Sequence, residues 1–343
     1  MRKEVWYAIL AGSILGLIIA FGVARINSAF KGSFNHSPKS SPTPTAPKNN
    51  PSGITLVKPD NDDVLTKNPV DLSGMTSPAS WIIISAENRD YIFKTNPDGS
   101  FDFQIDLAGG VNQFSLTSFD ERGGSSSKNL RLVYSTEFPI PLPPPETATS
   151  GSEIKEKVEK KIQETLNSPR AYIGTVTDVS EGTLQIKTDS GEIKQISADR
   201  KLVSVIKVVK EPAKVNFSDI AIGDYIVAMG VTNGNHVLQG KRILIIPPLV
   251  IPPYQVLFGK IKNITKNEII LANIKTNEEI ATRIPILPST KYTTTKGDQT
   301  ATIKLTGLAE GDLIIAAGFT ASGKFTPRRV HLAEPTPTQT PLP

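Results

Sequence analysis

The chain has 343 residues, with 27 Pro, 25 Gly, no Cys and three His, and aromatic residues make up 6% of it. The missing cysteines exclude disulfides, thiolate metal sites, a Cys nucleophile and a lipid-modified Cys anchor, and three His leave little for acid–base or metal chemistry. The formal charge is +5, but Arg2, Lys3, Arg25 and Lys31 against Glu4 place +3 within residues 1–31, so the rest carries +2 and gives no reason to expect nucleic acid.

Residues 5–24 carry no charge. Twenty residues of helix span about 30 Å, the thickness of a hydrocarbon core. They predict an uncleaved transmembrane signal anchor after a cytoplasmic tail at 1–4. A cleaved signal peptide is the competing reading, with Gly22-Val23-Ala24 as the cleavage site. The anchor reading implies a single-pass protein in the cell membrane, N-terminus cytoplasmic and domains extracellular, touching the lipid bilayer through 5–24. Ala8, Gly12, Gly16 and Ala20 recur every four positions, the spacing of a small-residue stripe through which membrane helices self-associate.

Pro clusters then mark the joints, because Pro fixes φ and removes a donor. Five Pro fall in 38–51, five in 139–145, four in 247–253 and four in 335–343. The expected organisation is a Pro/Ser/Thr-rich stalk at 25–52, a module at 53–137, a linker at 138–150, a charged helix at 151–168, modules at 170–246 and 254–334 joined by a linker at 247–253, and a disordered tail at 335–343.

Residues 53–137 alternate apolar and polar, as in Phe101, Phe103, Ile105, Leu107 and in Leu130, Leu132, Tyr134, which predicts half-buried strands. Seven short strands with turns at Asn96-Pro97-Asp98-Gly99, Gly109-Gly110 and Gly123-Gly124 fit a β-sandwich, with Trp81 in its core. The run from Asn96 to Phe103, then Leu107 to Asn112, then Phe114 to Thr117 resembles bacterial Ig-like domains of the glucodextranase-domain-B type. That resemblance implies a sandwich used as a spacer or adhesive module. Asp60, Asp62, Asp63 and Asp71 lack calcium-loop spacing and read as a solvated loop.

In 151–168, Ile154, Val158, Ile162 and Leu166 form one narrow apolar stripe after a capping box at Ser150 and Glu153. The stretches that follow are repeats. Phe217 to Gly230 reads FSDIAIGDYIVAMG and Leu305 to Gly318 reads LTGLAEGDLIIAAG, identical at six of 14 positions. Gly174 and Gly259 lie in the opening strands, and Lys241-Arg242-Ile243 and Arg328-Arg329-Val330 in the closing ones. Five or six strands per repeat predict two tandem OB-like small β-barrels. Gly223-Asp224 and Gly311-Asp312 are expected to make a structural turn into a buried strand. The repeats also resemble an uncharacterised bacterial domain of unknown function.

His36, His236 and His331 lie in separate modules, and the chain has no phosphate loop or nucleophile elbow motif. The expected fold is therefore mainly β and the expected role non-enzymatic, with no catalytic, metal or cofactor-binding residue and no cofactor. It is a structural, adhesive or protein-interaction role at the cell surface, with a cell-wall polymer or a surface protein as partner. The alternative is carbohydrate or cell-wall binding, for which Tyr91, Tyr254 and Tyr292 are the candidate platforms.

Overall fold

The computed structural model describes residues 53–136 and 168–334, except residues 210, 234 and 298. All of them belong to one compact unit, Asn50–Pro343. Eight strands build the first module: β1 (Thr55–Lys58), β2 (Val64–Leu65), β3 (Val70–Met75), β4 (Trp81–Ser85), β5 (Asp90–Lys94), β6 (Ser100–Ile105), β7 (Gly110–Phe119) and β8 (Ser125–Tyr134). They form a three-stranded sheet, β1-β3-β6, and a five-stranded sheet, β2-β8-β7-β4-β5. The inward residues of both sheets share one core, which includes Leu72, Ile82, Ile84, Phe101, Ile105, Phe114, Leu116, Leu130 and Leu132.

The first repeat contains β9 (Pro169–Ser180), β10 (Thr183–Lys187), β11 (Ile193–Ser197), β12 (Ser204–Val208), β13 (Pro212–Val215), β14 (Tyr225–Thr232) and β15 (Leu238–Ile246). Their order is β11-β10-β9-β14-β15-β12-β13, and a parallel β11–β15 pair closes the ring. The second repeat contains β16 (Tyr254–Ile264), β17 (Glu268–Ala272), β18 (Ile284–Pro285), β19 (Lys291–Lys296), β20 (Gln299–Thr302), β21 (Leu313–Ala321) and β22 (Lys324–Glu334). Its order, β18-β17-β16-β21-β22-β19-β20, has no closing pair among the described residues.

The repeats keep the same local devices. In each, the register shifts at the equivalent Gly: between Met229 and Gly230 against β15, and between Ala317 and Gly318 against β22. A Cβ on Gly230 would meet the Gln239 carbonyl oxygen at 2.0 Å, and one on Gly318 the Thr326 oxygen at 2.1 Å, so both positions need glycine for close approach.

The expected fold class needs correction. The described residues are nearly all β, and their helical segments are two three-residue 3₁₀ turns, Phe217–Asp219 and Leu305–Gly307. Among them no helix is long and apolar enough to cross a membrane, because apolar residues here alternate along strands instead of running around a helix. The expected single-pass localisation, bilayer contact and transmembrane helix therefore find no support. Residues 5–24 with Ala8, Gly12, Gly16 and Ala20, and the charged helix expected at 151–168 up to residue 167, lie outside the described residues. The expectation of two closed barrels is corrected too, since only the first repeat's ring has a closing pair among the described residues.

Trp81 is buried but does not enter the sandwich core. All five residues of β4 are buried because the strand is covered on both faces. Ile82 and Ile84 point into the sandwich, whereas Trp81 and Ile83 join Ile92 and Phe119 against Phe258, Ile315 and Ala317 of the second repeat. A matching cluster joins Val64 and Val133 to Ala171, Ile173, Tyr225, Val227 and Met229 of the first repeat.

The two repeats present the same face to the sandwich. Aligned on their shared glycines, Ile173 corresponds to Phe258, Val227 to Ile315 and Met229 to Ala317. In the closing strands Leu244 corresponds to His331, whose ring lies edge-on to Trp81 at 5.4 Å. The apolar run after each Gly-Asp pair thus serves two cores, with one set of alternate residues filling the repeat and the other seating it on the sandwich. Apolar burial at both seats packs the three modules into one compact unit, and apolar interfaces of this kind oppose hinging between domains.

Candidate functional site

The outward face of β7 explains where a cleft opens. Its outward positions read Val111, Gln113, Ser115, Thr117 and Phe119, apolar at the two ends and polar between them. Val111 packs with the first repeat and Phe119 with the second. The polar stretch between the two seats stays partly uncovered. Gln113 and Ser115, with Asn129 and Arg131 of β8, form one wall of a cleft of about 970 Å³. The first repeat supplies the opposite side through Arg170, Tyr172, Thr188, Asp189, Glu192 and Lys194. Leu249, Ile251 and Tyr254, on and just after the Pro-rich stretch, line the remaining rim.

The charges of the cleft are held by partners. Arg131 Nε donates to Asp62 Oδ1 at 2.6 Å, and its Nη1 donates to Asp189 Oδ2 at 2.9 Å. Tyr225 Oη donates to the same Asp189 carboxylate at 3.0 Å. Burial, with this hydrogen bond second, pushes the Tyr225 phenol up to about 12, so it remains a donor at every ordinary pH. Arg170 reaches Asp60 at 3.0 Å and Asp63 at 3.5 Å, and Lys194 lies 2.5 Å from Glu192. The Arg131–Asp189 and Arg170 pairs join the sandwich to the first repeat, and with the pairs inside each module they leave the cleft's fixed charges balanced.

The aromatic rings of the cleft are covered. The Tyr172 ring carries Lys194 at 5.3 Å, and its hydroxyl donates to the His236 carbonyl at 2.7 Å. The Tyr254 ring packs on Phe319 at 5.3 Å and under Arg328 at 5.6 Å. Two polar atoms of the lining have no protein partner: Gln113 Oε1 from the sandwich and Tyr254 Oη from the second repeat.

The residues singled out in the sequence take other places. Gly223 and Gly311 have φ of +96° and +90°, and the Asp224 and Asp312 carboxylates accept the Ala221 and Ala309 N–H groups at 2.9 and 2.8 Å. Asp60, Asp62 and Asp63 are spent on Arg170 and Arg131, while Asp71 accepts from Gln104 at 2.8 Å. His236 sits in a turn with φ of +58°. His331 is fully buried between Thr293 and Thr295, whose hydroxyls lie 3.0 and 3.1 Å from its two ring nitrogens. Of the two described histidines only His236 lines the cleft, while His331 lies at the seat of the second repeat; His36 lies outside the described residues. Tyr91 bonds to Asp106, and Tyr292 has a buried hydroxyl away from the cleft, so of the three Tyr candidates only Tyr254 reaches it. The sequence reading missed Gln113, Asn129, Arg131 and Arg170. The signal that could have found the first of them was the polar interruption in the outward face of β7.

The chain matches no family model and no curated protein. Three solved structures align with it at low similarity. A tetra-tandem repeat in the extending region of a large adhesion protein is 11% identical, covering 81% of this chain and 72% of that one, with a TM-score of 0.20. A structure described for host cell surface retention of a 1.5-MDa bacterial ice-binding adhesin is 11% identical, covering 82% and 98%, with a TM-score of 0.19. A Ca²⁺-stabilized adhesin with which an Antarctic bacterium binds ice is 13% identical, covering 83% and 75%, with a TM-score of 0.19. Scores this low do not establish a common fold.

Proposed function

We propose that this protein is a non-catalytic interaction module with an adhesive or structural role at the cell surface, and that it engages its partner through the cleft. The observation that carries the reading is the double seating of the repeats on one sandwich sheet. Both seats bury apolar residues, and a charged pair seals each of them: Arg131 with Asp62 and Asp189 at the first repeat, and Arg328 with Asp90 at the second. Such a body holds its cleft walls in fixed relation, and a binder that presents a preformed surface loses little entropy on association. The groups that could do acid–base chemistry serve the fold instead: His331 is enclosed by threonines, and the carboxylates of the cleft lie against guanidinium or ammonium groups.

The three aligned structures are of a large adhesion protein and two adhesins, and at their low similarity they carry no weight here beside the seating and the cleft. Retention of the labelled full chain on intact bacterial cells and on purified cell wall tests it. Saturable retention is expected, and Asn129→Trp, which places a large ring in the cleft from an exposed strand position, should abolish it. Retention that Asn129→Trp leaves untouched, or a measured turnover that depends on cleft residues, would overturn the reading.

A further inference from the structure

The chemistry of the cleft also bears on what fills it. Resting on the reading above, we propose that its occupant is a neutral polyhydroxylated chain, a glycan segment without charged groups.

Three features of the lining point there. The first is charge balance. Arg131 is held between Asp62 and Asp189, Lys194 lies against Glu192, and Arg170 is drawn to Asp60 and Asp63. An anionic ligand would have to pull a guanidinium or ammonium away from its carboxylate, and a cationic one would have to do the reverse. Either exchange replaces one ion pair by another and strands a charge, so it yields little affinity. A neutral ligand leaves the pairs standing and bonds to their remaining lone pairs and N–H groups.

The second feature is the kind of polar group on the sandwich wall. Gln113 and Asn129 are amides and Ser115 is a hydroxyl, each able to donate and to accept. A sugar hydroxyl also does both, so every contact can be satisfied in either direction.

The third feature is size. At about 970 Å³ the cleft stands at the upper end of small-ligand sites, and it is walled on separate sides by the sandwich and the first repeat. It suits several linked rings. Because Lys194 covers Tyr172 and Phe319 packs on Tyr254, recognition comes from hydrogen bonds and not from stacking on a bare aromatic face. The affinity of one cleft is therefore expected to be modest, with Kd on the order of a millimolar, and many copies acting together would raise it.

The test uses the full chain and defined hexasaccharides: cellohexaose, maltohexaose and chitohexaose as neutral probes, hexagalacturonate as the anionic probe and the chitosan hexamer as the cationic one. Binding is read by heteronuclear NMR shifts. At least one neutral probe should bind, with a Kd unchanged between about 0.05 and 0.5 M salt. Gln113→Ala/Asn129→Ala should weaken it by about tenfold, the loss of one or two hydrogen bonds, with the thermal midpoint preserved. Lys275→Ala, in an exposed turn outside the cleft, should leave it unchanged. The proposal is overturned if no neutral probe binds, if the double variant binds equally well, or if a charged probe binds more tightly at these residues. Cell retention separates this from the broader reading. If Asn129→Trp abolishes retention but no neutral probe binds, the glycan assignment fails and the interaction role stands. If a neutral probe binds through Gln113 and Asn129 but retention ignores Asn129→Trp, the assignment stands and the surface role fails.

Discussion

His331 makes the seat of the second repeat sensitive to acid. It is fully buried, its two ring nitrogens face Thr293 and Thr295, and its ring edge meets Trp81 across the interface. Burial, reinforced by the neighbouring charge of Arg329, lowers its pKa from 6.5 to about 4. The other charged groups at this seat are Asp90, bound by Arg328, and Lys94, over the Trp81 ring at 6.0 Å and paired with Glu334. A histidine whose folded pKa is depressed binds fewer protons folded than unfolded. Its contribution is therefore whole above pH 6.5, is lost as the pH falls through that window, and is gone below about pH 4. The full span corresponds to about 3 kcal/mol, of which about 2 kcal/mol is lost by pH 5.

The first repeat supplies the control, because Leu244 occupies the position equivalent to His331. His331→Leu removes the titration and keeps an apolar side chain of fitting size, at a fixed cost for the two threonine hydroxyls left without the ring. Urea unfolding of both proteins at a series of pH values isolates the difference. The variant should gain about 2 kcal/mol relative to the parent on going from pH 7.5 to pH 5. Parallel profiles for the two proteins would show that His331 protonates freely in the folded state, and the account of a closed, dry seat would be wrong.

Other substitutions probe the remaining devices. Arg328→Ala leaves Asp90 buried at 4% exposure without its cation and uncaps the Ala86 and Glu87 carbonyls, so unfolding should become easier by about 3–5 kcal/mol, seen in urea midpoints. Gly318→Ala drives a methyl group into the Thr326 carbonyl, and a thermal midpoint within a degree of the parent would refute the close approach at that bulge. Ile83→Ala opens a cavity at the second seat and should cost about 2–4 kcal/mol although the residue lies on the outer face of its sheet; a cost below about 0.5 kcal/mol, typical of exposed positions, would place Ile83 in solvent.

How much of this was legible in the sequence depends on the range over which each signal acts. Alternation such as Phe101, Phe103, Ile105 marks a strand because one face of one sheet decides it locally, and β6 lies there. The repeat was legible for the same reason, since its glycines and aspartates act within a turn or against an adjacent strand. The seats were not, because they join residues far apart in the chain: Arg328 bonds to Asp90 across 238 positions, and Arg131 to Asp189 across 58. The sequence did carry their trace. Trp81 to Ile84 and Tyr225 to Met229 are apolar without interruption, a pattern that a strand with one wet face does not need. Reading those runs as single-core strands assigned Trp81 to the sandwich and left the modules as beads between Pro-rich joints. Reading each as two interleaved sets of alternate residues demands a second partner for every such strand. The described structure contains two repeats and one sandwich sheet to supply those partners, and the cleft opens at Gln113 and Ser115, where the polar stretch of β7 is left partly uncovered between the two seats.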